Sequence, residues 1–272
     1  MKKQQALLLC DFYKISHRAL YPNGTESVYS TWTPRQSLLS NVNHVVAFGL
    51  QKFIKEYLIE YFNENFFNRE EQDVVSEYKR VIKSTLGIEN PDVQHIRELH
   101  NLGYLPLAIK ALPEGTLVPV RVPMMTIENT NPKFFWLTNF LETLISQELW
   151  QACTSATIAH EYKKLLTSYA KQTGGDLGFV PFQAHDFSMR GMSSLQSSIS
   201  SGMGHLLSFV GTDTIPAILG HEEFYNSDIT KELVGTSIPA TEHSIECAYG
   251  NDEEYINDII TNKNPDGMVS VV

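Results

Sequence analysis

From residue 178 onward, four short apolar or small-residue runs each end in polar residues at nearly equal intervals. They are GFVPFQAHDF (178–187), LLSFVGTD (206–213), SIPATEHS (237–244) and GMVSVV (267–272); their polar marks Asp186, Asp213, His243 and Ser270 stand 27, 30 and 27 positions apart. A strand with its return helix takes roughly 30 residues, so the spacing predicts successive parallel βα units of the kind that close into a (β/α) barrel. Loops at the C-terminal ends of barrel strands converge on one mouth, which is where these four residues then lie. About four such units fit before Val272. Half a barrel leaves an open sheet edge and an uncovered core, so the expectation is a barrel that is incomplete in this chain.

The earlier residues read differently. Tyr21-Pro22-Asn23-Gly24 is a turn signal. Leu50, Phe53, Ile54, Tyr57, Leu58, Tyr61 and Phe62 recur at three- and four-residue steps, the mark of an amphipathic helix, and a polar helix is expected over 69–83. LPLAIKAL and LVPVRVP are β-type runs around Pro113-Glu114-Gly115, which predicts a hairpin. Prolines 106, 119 and 123 suit edge strands, because proline cannot donate to a ladder. Two helices follow in this reading. Asn131-Pro132 opens one with Leu137, Phe140, Leu141, Leu144 and Ile145 on its apolar face; the next spans about 155–171, with Ile158, Tyr162, Leu165, Leu166 and Tyr169 turned to the core and Gly174-Gly175 at its end. The fold class is therefore α/β, with an α+β domain over 1–172 and the first half of an α/β barrel over 173–272.

Composition removes several classes of function. Hydrophobic residues at 42% and charged residues at 19% describe a core-forming chain and exclude disorder. A formal net charge of −10 disfavours a broad nucleic-acid or anionic-membrane surface, while leaving room for a local anion site. The three cysteines, Cys10, Cys153 and Cys247, are too scattered for a disulfide framework or a zinc knuckle. With no secretory signal and no run of ~20 apolar residues, the expected location is cytoplasmic.

Several residues can carry chemistry. After His185 and Asp186, the segment Phe187-Ser188-Met189-Arg190-Gly191 with Ser193 and Ser194 fits either an anion site, with Arg190 as a charged fork, or a surface arginine beside a serine cap. Asp213 is a helix cap or a carboxylate that accepts hydrogen bonds from an amide. His243 is a nucleophile, base or phosphate partner, or a satisfied core histidine. His185, Asp186, Asp213 and His243 are all plausible metal ligands, which keeps a metal-dependent barrel hydrolase in view, although no HxH or HxxxH pair supports it. Near the start, Tyr13 can stack on a planar ring, and Lys14 or Arg18 can meet phosphate. Neither a GxxxxGK[ST] segment, a GxGxxG fingerprint nor a GxSxG elbow is present.

The opening D-x-Y-K-x-x-H (Asp11 to His17), YPNGTESVYS, ALPEGTLVPVRVPMMTIENTNP, FFWLTNFLETLISQ, HDFSMRGMSS, GTDT, IPATEHS and VSVV occur in this order. Together they resemble the nicotinamide phosphoribosyltransferase family over nearly the whole chain. The resemblance implies a homodimer in which an α+β domain packs on an irregular barrel of the type II phosphoribosyltransferase kind. It implies transfer of phosphoribosyl from phosphoribosyl pyrophosphate to nicotinamide with Mg²⁺, giving nicotinamide mononucleotide and pyrophosphate for NAD biosynthesis. Phe187 and, from the other subunit, Tyr13 would sandwich the pyridine ring; Asp213 would accept from the carboxamide; Arg190 and Arg35 would hold phosphate; Ala240 and Ser270 would line a tunnel; ATP would phosphorylate His243. Met189 stands where the family commonly has an aromatic residue. The Arg-x-Asp-Ser-Gly type segment that binds ribose and pyrophosphate is not in the sequence, so the expectation is a nicotinamide half-site, either one piece of a split enzyme completed by a separate C-terminal polypeptide or a fragment of a longer chain. The alternatives are a nicotinate phosphoribosyltransferase or a non-catalytic pyridine-binding remnant.

Overall fold

The computed structural model describes residues 4–37 and 39–271. The basic start at 1–3 and the last residue of the 267–272 run lie outside the described residues. The first part of the chain holds helix α1 (Lys14–Leu20), strands β1 (Tyr29–Trp32) and β2 (His44–Val46), and helix α2 (Leu50–Phe53), which runs on in wider turns through Ile54–Tyr61 and Asn63–Phe67. Helices α3 (Glu71–Leu86) and α4 (Gln94–Leu102) follow, then strands β3 (Leu107–Ala111), β4 (Leu117–Pro119) and β5 (Met125–Asn129). Phe53, Phe62, Phe66, Tyr78 and Leu99 are fully buried where these helices meet. In β5, Met125, Ile127 and Asn129 alternate inward, which sets its register between antiparallel neighbours β1 and β3.

The expected hairpin does not form. β3 pairs with β5, while β4 pairs with β2. The reason is the turn itself. Gly115 N–H donates to Ala47 O at 2.8 Å, which docks the 113–116 turn on the end of β2 and hands β4 to that strand. Pro119 closes β4, a strand with one partner, where its missing N–H costs nothing.

The two helices expected over 131–171 are also largely one. After the short α5 (Leu137–Phe140), helix α6 runs unbroken over Glu142–Thr173, about 48 Å at 1.5 Å per residue. The segment contains neither glycine nor proline, and Gly174 ends it in the left-handed conformation at φ +70°. Its buried face differs from the expected one. Ala152, Cys153, Ala156 and Ala159 are buried, whereas Tyr162 and Tyr169 are 58% and 59% exposed. Small residues win the inner face because α8 (Leu195–His205) approaches to backbone contact. A Cβ on Gly204 would stand 2.9 Å from the Ala152 carbonyl oxygen and from the Ala156 nitrogen.

Beyond α6 the ladders are far shorter than the apolar runs suggested. Much of GFVPFQAHDF is a tight helical segment (Leu177–Phe182), and only β6 (His185–Asp186) and β7 (Gly211–Thr212) are strands. β6 and β7 are parallel, Gly211 pairs in parallel with Thr236, and Ala240 pairs in parallel with Ser270. The runs therefore lie side by side in chain order, with α7 (Ser188–Gly191) and α8 crossing from β6 to β7 and α9 (Ile215–Tyr225) leading from β7 toward Thr236. Helices α10 (His243–Glu246) and α11 (Asp252–Asp258) follow, the latter running on in wider turns through Ile259–Lys263. Val46 and Phe48 from the first part join Ala152, Ala156, Met203, Ala217 and Phe224 in a second core beneath the short strands. Among the described residues, no helix is long and apolar enough to cross a membrane.

Candidate functional site

Where the short parallel segments end, His185, Phe187, Arg190, Asp213, Ser237, Ala240, Thr241, Glu242, His243 and Ser270 surround a cleft of about 770 Å³. Asp213 is one of the residues that line it. The Asp213 N–H donates to Asp186 O at 2.9 Å, which fixes its backbone to the end of β6. Its Oδ1 accepts from Ser237 Oγ at 2.7 Å and from His185 Nε2 at 2.8 Å. These two hydrogen bonds, Ser237 first, hold the carboxyl below the usual aspartate range. The depressed folded-state value makes this stabilisation complete above a pH of about 4, the unfolded value, and lost as pH falls through the folded value. Oδ2 accepts no hydrogen bond from the described residues, and the side chain is 45% exposed, so a carboxylate oxygen is open to a ligand. Ser237→Ala removes the first donor; the acid limb of any Asp213-dependent pH profile should then move up toward the ordinary carboxylate value, and an unmoved limb in a pH–rate series would exclude this coupling.

The position of His185 is set by Gly211. A Cβ there would meet His185 Nδ1 at 2.8 Å and Ala184 O at 2.9 Å, so only glycine lets the imidazole lie against β7. The Phe187 ring stands 4.7 Å from the His185 ring and is 63% exposed, leaving a face available for stacking. His243 is the first residue of α10 and is exposed; Arg190 is exposed at the end of α7. Ala240 and Ser270 are brought together by their bridge, with Thr241 N–H donating to Ser270 O and Ser270 N–H to Pro239 O, both at 2.9 Å.

Six of the eight residues to which the resemblance gives roles thus meet in one cleft: Phe187, Arg190, Asp213, Ala240, His243 and Ser270. Tyr13 and Arg35 are not among its lining residues. Tyr13 is 55% exposed just before α1, and Arg35 lines a different cavity of about 570 Å³ with Trp32, Glu142 and Trp150. Lys14 and Arg18 do not present free cations to phosphate: Lys14 is buried and paired with Glu142, and Arg18 is paired with Asp92. Sequence reasoning missed Ser237 altogether and treated His185 only as a metal ligand. The one available signal for both was their place in the same strand-end runs as Asp213.

Comparison with known proteins bears on what the cleft is. Residues 5–109 match the family model for the nicotinamide phosphoribosyltransferase N-terminal domain, and residues 182–268 match the nicotinate phosphoribosyltransferase (NAPRTase) family. The chain is 51% identical over 269 residues to a nicotinamide phosphoribosyltransferase of Acinetobacter baylyi, covering 96% of this chain and 53% of that protein. It is 35% identical over 263 residues to one from Mycoplasma genitalium, covering 91% of this chain and 54% of that protein. The chain belongs to the nicotinamide phosphoribosyltransferase family. It spans about half the length of the curated relatives it matches. Among solved structures, human nicotinic acid phosphoribosyltransferase superposes with a TM-score of 0.55 at 17% identity, over 88% of this chain and 40% of that one. Nicotinate-nucleotide pyrophosphorylase from Pyrococcus furiosus gives 0.51 at 15%, over 97% and 49%. These two likenesses establish a shared α/β fold.

Within this phosphoribosyltransferase fold, the metal-hydrolase reading of the cleft fails on geometry. Asp186 is turned into the protein, 8% exposed, with Oδ1 accepting from Ser188 N–H at 3.1 Å and Oδ2 from Thr212 Oγ1 at 2.9 Å. His185 is committed to Asp213. Among the described residues, His185, Asp186, Asp213 and His243 form no group with donor atoms close enough for one ion. The cleft's two carboxylates are Asp213, held as above, and Glu242, which accepts from Ser244 Oγ. That donor set is too sparse for a protein cage around Mg²⁺, and it fits an ion that arrives already coordinated by substrate phosphates.

Proposed function

We propose that this chain contributes the nicotinamide side of a phosphoribosyltransferase active site. The reaction joins nicotinamide to the ribose of phosphoribosyl pyrophosphate, giving nicotinamide mononucleotide and pyrophosphate in NAD biosynthesis. The observation that carries the reading is Asp213. Its Oδ1 is occupied by His185 and Ser237, which leaves Oδ2 to accept a carboxamide N–H beside the exposed face of Phe187. A carboxylate there favours an amide and repels the like charge of nicotinate, which selects nicotinamide over the acid.

The remaining roles are those the family resemblance implies. Phe187 stacks on one face of the pyridine ring, and Tyr13 of a second subunit covers the other. Arg190 holds phosphate in the cleft, and Arg35 reaches it across a homodimer. Ala240 and Ser270 line the way out. His243 takes the γ-phosphoryl group of ATP, releasing ADP, and its later hydrolysis is coupled to product formation. Mg²⁺, held chiefly by the substrate's own phosphates, would offset the negative charge of the departing pyrophosphate. The fold is an α+β domain over 1–172 against an irregular barrel that begins at 173, working in the cytoplasm. The ribose and pyrophosphate contacts come from the part of the relatives that this chain does not match, in the same polypeptide or a separate one.

The deciding experiment is a nicotinamide mononucleotide assay with nicotinamide, phosphoribosyl pyrophosphate, Mg²⁺ and ATP. It is run on the 272-residue protein alone and with a C-terminal half supplied in trans. Product only when the second half is present is the expected result. No product in either arm, from soluble and folded protein that still binds nicotinamide, would leave a pyridine-binding remnant in its place.

A further inference from the structure

Away from the cleft, the edge strand β2 is laid against α6. Val46 N–H donates to Thr157 Oγ1 at 2.9 Å, which fixes the register between them. His44 stands two residues back along the strand, while His160 and Glu161 stand three and four residues further along the helix. Both steps preserve direction, two residues in a strand and one turn in a helix, so the three side chains converge. His44 Nε2 lies 3.0 Å from Glu161 Oε1, and the His44 and His160 rings meet edge to face with centroids 5.9 Å apart. One donor atom from each residue falls within 4.8 Å of the other two, and no other such group of three His, Cys, Asp or Glu occurs among the described residues. The His44 and Glu161 side chains are only 19% and 20% exposed, so the cluster is half-sheltered. None of the described residues hydrogen-bonds to the His160 ring.

We infer that His44, His160 and Glu161 form a binding site for one divalent transition-metal ion, Zn²⁺ by preference, with water completing the coordination. Two imidazoles and a carboxylate suit Zn²⁺, whereas Mg²⁺ and Ca²⁺ seek all-oxygen sets. In a tetrahedral site with bonds of about 2.0–2.1 Å, donor atoms stand roughly 3.3–3.5 Å apart. The His44–Glu161 pair is already that close, and rotation of the half-buried His160 ring would close the rest. Lys164 holds Glu161 Oε2 at 3.2 Å, which leaves Oε1 directed at the ion. A bound ion would tie an edge strand to α6, the helix that packs on α8 beneath the cleft, so occupancy acts on stability and not on the transfer chemistry.

The test uses the purified protein stripped with a chelator, titrated with Zn²⁺ by calorimetry and with Co²⁺ by visible absorption. The expected result is one ion per chain, an intense four-coordinate Co²⁺ spectrum, and a melting temperature that rises with Zn²⁺. His160→Ala and Glu161→Gln should each weaken Zn²⁺ binding at least tenfold and abolish the Zn²⁺-dependent rise in melting temperature. Their metal-free melting should match the parent's; Glu161→Gln preserves shape and carries the test if His160→Ala folds poorly. Binding that both substitutions leave unchanged belongs to others of the nine histidines and overturns the site, as does the absence of any Zn²⁺ heat or Co²⁺ band.

Discussion

Asp213→Ser should lower kcat/KM for nicotinamide by roughly 10- to 100-fold, measured on the reconstituted enzyme, while use of nicotinate falls little or rises. A hydrogen bond to a charged acceptor is worth about 1.5–3 kcal/mol, and about 1.4 kcal/mol is tenfold. The substitution also removes the negative charge that opposes a nicotinate carboxylate, so the two substrates move in opposite directions relative to each other. The neighbouring groups sharpen the expectation. His185 and Ser237 both spend their donors on Oδ1, so in the variant two hydrogen-bond donors face the ligand where one acceptor stood. Donors welcome a carboxylate. Parallel assays with the two substrates decide the matter: an unchanged nicotinamide-to-nicotinate ratio would take Asp213 out of the recognition role.

The largest stability effect is expected one strand away. Asp186→Ala strips the acceptor from the Ser188 N–H and the Thr212 hydroxyl in a largely buried place. Each buried group left unpaired costs about 1–3 kcal/mol, so the loss from the two should reach about 2–6 kcal/mol in urea unfolding, with Asp186→Asn costing less because one oxygen remains. The site is also crowded: a Cβ on Gly202 would stand 2.9 Å from Asp186 Oδ2 and 2.8 Å from the Ala217 Cβ, which leaves no slack for a displaced carboxylate. A midpoint for Asp186→Ala within error of the parent would mean that these hydrogen bonds are dispensable.

The two predictions show which layers of the molecule were legible in the sequence. The interval between strand ends was, because a parallel βα unit has a nearly constant length and its polar terminus marks the count; Asp186, Asp213 and Ser270 accordingly lie at or beside successive parallel segments. What each polar residue does there was not. Asp186 and Asp213 occupy the same kind of position in sequence, yet one faces the core and the other the cleft, a distinction made by Thr212 and Ser188 on one side and His185 and Ser237 on the other. Helix α6 misled through composition. Tyr162, Leu165 and Tyr169 carry more apolar surface than Ala152 or Ala156, and periodicity alone assigns the bulkier stripe to the core. Backbone contact with Gly204 reverses that choice, and contact of that kind depends on a residue some fifty positions away. The hairpin failed for a similar reason, since Ala47 lies far outside the window in which a turn is read.

The unbroken length of α6 has one more meaning for the molecule. Glu142, Ile145, Ser146 and Trp150 wall the cavity that holds Arg35, and a few turns on Ser155, Ile158, Ala159 and Tyr162 wall a hollow behind Phe187 and Asp186. Both rooms therefore share one beam. Two helices joined by a loop would let each room settle independently; a continuous rod makes its pitch the ruler between them. Arg35 and Phe187 therefore line rooms whose walls are spaced by one continuous helix, Trp150 and Tyr162 standing about 18 Å apart along it.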